Sequence, residues 1–165
     1  MADGFSADIK GIAEVKALFE ALSTKEADNA ILKALKAGAL IEQAAISDRA
    51  PVKDTTGGLL PEGALKADIE VKVHRPSGRT PYVTVAPGKY TAHVARWLEY
   101  GHRLVRGGYS RMLKNGKTRG PGKEVGFVAE HSFIRVGYEE SREAVVEAIS
   151  NTLVAEIQKA AVKKQ

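Results

Sequence analysis

The period of the apolar residues changes along the chain, and each change marks an element. Ile12, Val15, Leu18, Phe19 and Leu22 fall at helical spacing, so a short amphipathic helix is expected over residues 11–22. Ser23 and Thr24 interrupt it and can cap a second helix, with Glu26 and Asp28 near its positive N-terminal end. That helix should run to about Arg49. Its stripe of Ala27, Ala30, Ile31, Ala34, Leu35, Gly38, Ile41 and Ala45 is rich in small side chains, which lets another element approach its axis closely; a sheet is expected there. Ala50-Pro51 ends the helix, because a residue before proline is pushed out of the α region. Asp54, Thr55, Thr56, Gly57, Gly58 and Leu59 follow as a turn, their side chains able to bond local backbone and their glycines able to take positive φ.

The period then drops to two. Leu65, Ala67, Ile69, Val71 and Val73 alternate with Lys66, Asp68, Glu70, Lys72 and His74, the pattern of a strand with one dry face. After the turn Arg75-Pro76-Ser77-Gly78-Arg79, Tyr82-Val83-Thr84-Val85 returns as the second strand of a hairpin, and Pro87-Gly88 stops it. Helical spacing resumes with Tyr90, Val94, Trp97 and Leu98, which puts the single tryptophan on a core-facing stripe; Gly101 terminates the element. Asn115-Gly116 is a dipeptide favoured in two-residue hairpins, so stretches near Leu104–Leu113 and Val125–Ala129 read as the two sides of a protruding β-arm. A last helix is expected over about Glu139 to Val162, with Val145, Val146, Ile149, Leu153, Ile157 and Ala160 as its stripe. The fold class is α+β: helices at both ends packed on a small antiparallel sheet. The chain reads as a single domain, with residues 1–10 a flexible N-terminus and residues 101–124 an extended basic loop or arm.

Charge sharpens this picture. The net charge is +5, yet Arg103, Arg106, Arg111, Lys114, Lys117, Arg119 and Lys123 stand together with no acidic residue between Gly101 and Lys123. The remainder, with 18 Lys and Arg against 20 Asp and Glu, is close to neutral. Seven cations on a glycine-rich segment can neutralise phosphates without reading base sequence, or meet an acidic protein surface. The alternative is a solvated loop kept soluble by its charge. Tyr109, inside the segment, stays open as a further contact, whereas Trp97, Tyr100 and Phe133 are expected to serve packing.

Candidate chemistry is sparse. Absence of cysteine removes disulfides, thiolate zinc sites and a cysteine nucleophile. No apolar run is long enough for a membrane span and no export signal is visible. The four histidines form no paired-ligand motif, and Glu99 with His102 is a weak metal pair whose ordinary role is a solvated or locally bonded helix end. Pro87-Gly88-Lys89 and Gly120-Pro121-Gly122-Lys123 have prolines where a phosphate loop needs backbone donors. No catalytic constellation, cofactor site or metal site is expected, and the protein is read as not an enzyme.

Taken in order, Ala50-Pro51-Val52-Lys53-Asp54-Thr55-Thr56-Gly57-Gly58-Leu59, then Tyr90 with Arg96-Trp97-Leu98-Glu99-Tyr100-Gly101, then His131-Ser132-Phe133-Ile134-Arg135, resembles the tail-component or neck proteins of long-tailed, lambdoid-type bacteriophages. In that pattern an Asp-Thr-Gly element precedes a strand pair, a Glu-aromatic-Gly element closes a helix, and Pro-Phe leads into the last helix. Here Ser132 replaces that proline and the segment from Gly101 to Phe133 is long. The resemblance implies a structural virion protein, made in the bacterial cytoplasm, whose copies close into a sixfold or twelvefold ring around the DNA path. Connector, terminator or tail-tube proteins would adjoin it, with nonspecific contact to packaged DNA and no membrane. Asp54–Leu59 and the basic arm are then the expected assembly surfaces, and Trp97, Glu99, Gly101 and Phe133 the fold motif. A tail-terminator or other connector ring, or a free nonspecific DNA-binding protein, are the alternatives.

Overall fold

A computed structural model describes residues 24–52, 60–106 and 122–162. Its elements are α1 (Thr24–Arg49), α2 (Ala64–Ala67), β1 (Ile69–His74), β2 (Tyr82–Pro87), α3 (Ala92–Tyr100), β3 (His102–Arg106), β4 (Lys123–Val128) and α4 (Phe133–Val162). The class is α+β, as the residue pattern indicated, with the strands in two separate antiparallel pairs, β1 with β2 and β3 with β4. The expected helix over residues 11–22, the turn Asp54–Leu59 and the arm residues Arg111, Lys114, Asn115, Gly116, Lys117 and Arg119 lie outside the described residues.

The contacts cluster into two compact units. Among the described residues of the first (24–41, 71–84 and 142–162), the small-residue stripe of α1 receives α4 at Gly38. A Cβ at Gly38 would sit 2.6 Å from Ile149 Cγ1 and 3.1 Å from Val145 Cγ1, so glycine is what permits this approach. Lys33 and Glu156 pair beside it. The outer ends of β1 and β2 join here through a ring stack of His74 on Tyr82 (centroids 4.5 Å apart) and a 3.1 Å contact between His74 Nε2 and Thr84 Oγ1.

The described residues of the second unit (42–52, 60–70, 85–106 and 122–141) hold a core of Ile46, Ala50, Leu65, Ile69, Ala95 and Phe133, with Val85, Leu98 and Ile134 packed against them. The strand read from Leu65 onward begins only at Ile69. Gly63, at φ 69°, turns the chain into the single helical turn α2, and this places Leu65 and Ile69, four residues apart, in the same core. Asp68 then fixes the junction, its carbonyl accepting the Gly88 N–H at 2.6 Å and its carboxylate accepting the Thr91 N–H at 3.1 Å and the Thr91 hydroxyl at 2.8 Å. Here α4 crosses α1 at Gly137, where a Cβ would lie 2.9 Å from Ile46 Cα.

Candidate assembly site

Helix α3 organises the site. Thr91 anchors its start through Asp68, and Gly101, at φ 69° and ψ 168°, ends it by turning the chain directly into β3. The inward face consists of Thr91, Ala95 and Glu99, each buried, with Val94 and Leu98 half-buried. Trp97, expected in the core, is instead on the outward face with 49% of its surface exposed, and Tyr90 and Tyr100 are 77% and 70% exposed. The physical reason is that the polar inward residues are fully satisfied, so the helix need not turn its aromatic side inward.

Glu99 shows this most clearly. It is 5% exposed, and its two carboxylate oxygens accept the N–H groups of Ile134 (2.9 Å) and Arg135 (3.1 Å), the free donors at the start of α4. A buried carboxylate at a helix N-terminus gains from both the hydrogen bonds and the helix dipole. It also explains why α4 begins at Phe133, six residues before the start read from the sequence. The hydroxyl of Ser132, immediately before the helix, donates to the Glu99 carbonyl at 3.2 Å. Glu99 is therefore a capping residue; among the described residues no group of three His, Asp or Glu side chains stands close enough to hold a metal ion. Of the expected fold-motif residues, Glu99 bonds the start of α4 directly after Phe133, which lies in the core, and Gly101 ends α3, whereas Trp97 lies on the outward face of α3.

From this junction β3 and β4 extend as a two-stranded ribbon, pairing His102 with Val128, Arg103 with Phe127, Leu104 with Gly126, Val105 with Glu124 and Arg106 with Lys123; the register shift leaves Val125 as an extra residue on β4. Side chains alternate along β3, so His102, Leu104 and Arg106 share one face and Arg103 and Val105 the other. The outward face of α3 continues onto the first of these, because the Trp97 ring stacks on His102 at 5.3 Å, with His93 edge-on at the same distance. Leu104, Val105, Val125 and Phe127 are 43–64% exposed. Arg103 pairs with Glu124 at 3.4 Å, whereas Arg106 and Lys123 stand opposite one another with like charge. Of the seven cations singled out in the sequence, the structure thus places Arg103, Arg106 and Lys123 on the ribbon.

Two concave regions flank the junction. An apolar hollow of about 240 Å³ is lined by Pro51, Val52, Leu60, Leu65, Val94 and Leu98. An open groove runs past Glu42, Arg96, Glu99, Ile134, Arg135 and Tyr138, and burial in it raises the Glu42 carboxyl above its ordinary value. Neither gathers a nucleophile, base and oxyanion donors.

An isolated two-stranded ribbon is marginal in water, and this one exposes apolar side chains on both faces, the composition of surfaces that mediate protein contacts. The sequence profile of the family described as "Bacteriophage HK97-gp10, putative tail-component" matches residues 13–101, more than half of the chain, and the protein belongs to that family. Comparisons with curated proteins and with solved structures returned no match. The family is one of phage tail components, which gives the chain a structural role in the virion, among other virion proteins. The match closes at Gly101, so the ribbon and α4 lie beyond it. Among the described residues no helix is long and apolar enough to cross a membrane.

Proposed function

We propose that this protein is a neck or tail-completion subunit, joining head to tail as one member of a closed sixfold or twelvefold ring around the DNA path, and that it has no enzymatic activity. The observation that carries the reading is the uncovered β3–β4 ribbon with Leu104, Val105, Val125 and Phe127 exposed. A subunit that buries such a ribbon against a different surface of its neighbour forms a heterologous contact, and heterologous contacts close into rings when the rotation allows. Connector, terminator or tail-tube proteins adjoin the ring in this reading. The cations Arg111, Lys114, Lys117 and Arg119, between β3 and β4 in the sequence, then supply sequence-independent contact with packaged DNA. Phage carrying a deletion of the gene tests it: DNA-filled heads and separate tails are expected to accumulate unjoined in lysates viewed by electron microscopy. Complete, infectious virions from the deletion would refute the reading, and tails of uncontrolled length would move the subunit to the terminator position.

A further inference from the structure

The ribbon and the outward face of α3 form one continuous surface through the stack of Trp97 on His102. Trp97, Tyr100, His102, Leu104, Arg106 and Lys123 make it aromatic, apolar and cationic at once. Aromatic rings with arginine at a partly desolvated centre are the composition of protein interfaces, whereas backbone phosphates of duplex DNA call for cations and hydrogen-bond donors without exposed aromatic and aliphatic area. Arg106 and Lys123 are also direct cross-strand partners of like charge, an arrangement that destabilises a ladder until an anion lies against it.

The chain itself carries a fitting counterpart. Glu139, Glu143 and Glu147 recur every four residues on α4, and all three are exposed. A helix lying along the ribbon would set this carboxylate row against the Arg106–Lys123 end and its stem methylenes against Trp97 and Leu104. We propose that the aromatic and cationic face of one copy docks on the acidic outward row of α4 in a second copy. The inference rests on the multi-copy reading above and specifies its interface: face and row are different surfaces, so the contact is head-to-tail.

The experiment is a charge exchange in the full-length chain, followed by sedimentation and by acrylamide quenching of Trp97, the single tryptophan. Arg106→Glu with Lys123→Glu is expected to raise the concentration needed for half-assembly by about tenfold, and Glu143→Lys with Glu147→Lys to do the same. Mixing the two doubly substituted chains should restore association, and Trp97 should become less quenchable on assembly. Because a substituted ribbon can fail to fold, Leu104→p-benzoylphenylalanine provides a second test: irradiation of virions should join position 104 to residues 139–147 of another copy. Failure of the mixture to restore association, unchanged Trp97 quenching, or crosslinks only to DNA or to a different virion protein would overturn the proposal. The deletion phenotype is independent of these outcomes, so the ring reading can stand when this interface does not.

Discussion

Removal of the Glu99 carboxylate tests the architecture at the point where α3, the base of the ribbon and α4 meet. In Glu99→Ala the N–H groups of Ile134 and Arg135 lose acceptors at 2.9 and 3.1 Å, at a site where the side chain is almost wholly buried. Hydrogen bonds to a charged group contribute about 1.5–3 kcal/mol each, and a buried donor left unpaired costs about 1–3 kcal/mol. Their sum is reduced because water reaches the opened site, and a loss on the order of 3 kcal/mol is expected. The ion pair of Glu99 with Arg135 at 3.9 Å adds little, since the arginine is half-exposed and screened. In Glu99→Gln one donor keeps a carbonyl while the amide NH2 confronts the other, so about 2 kcal/mol is lost. Urea unfolding followed by Trp97 fluorescence and by helical dichroism gives these values directly. At a slope of about 2 kcal/mol per molar, Glu99→Ala should lower the midpoint by about 1.5 M. Glu130→Ala, which removes an exposed carboxylate 3.9 Å from the same arginine, should stay within about 0.5 kcal/mol of wild type. A loss below about 1 kcal/mol in Glu99→Ala, or a Gln variant as stable as wild type, would refute the capping argument.

Two further substitutions probe the helix crossing and the groove. Gly137→Ala puts a Cβ 2.9 Å from the Ile46 Cα, and since backbone cannot swing aside, the overpacking of about 1–3 kcal/mol should outweigh alanine's helix preference of about 1 kcal/mol; a stability equal to wild type would contradict it, and Gly126→Ala, with Leu104 Cδ1 at 3.8 Å, is the neutral control. Glu42 binds its proton more tightly in the folded than in the unfolded state, because burial raises its pKa above the ordinary 4.5, so its contribution is fully present at low pH and is lost as pH rises through the folded value. Glu42→Gln should therefore be more stable than wild type at neutral pH and should flatten the stability profile just above the ordinary carboxylate range; lower stability of the variant at neutral pH would count against the sign.

Much of this was legible in the residues. The C-terminal limit of α1 follows from Ala50-Pro51, and the two sides of the ribbon from the apolar stretches around Leu104 and Val125, because those signals are local in the chain. What escaped depends on partners distant in sequence. The start of α4 is set by a carboxylate 35 residues earlier, as the bond from Ile134 to Glu99 shows, while the hydroxyl of the adjacent Ser132 is engaged with the Glu99 carbonyl. The rotation of α3 could not be read from apolarity, since its buried line of Thr91, Ala95 and Glu99 is less hydrophobic than the exposed line of His93, Trp97 and Tyr100. Thr91 and Glu99 go inward because Asp68 and the N-terminus of α4 wait for them. Periodicity ranks side chains by hydrophobicity and is blind to such pairings. The same blindness made Trp97 a core residue in the sequence reading and concealed the outward face on which the assembly argument now rests. A partial signal was present: an aromatic at every third or fourth position from Tyr90 to Tyr100 is more aromatic surface than one short helix can bury.

The most direct test of the whole account is a cryo-electron microscopy reconstruction of the head–tail junction in virions of the phage that encodes this chain. The account predicts a closed ring of this subunit in which the β3–β4 ribbon and Trp97 are covered by the adjacent copy. A junction lacking the chain, or a ring whose ribbons project bare into solvent or line the DNA channel along their apolar length, would contradict it.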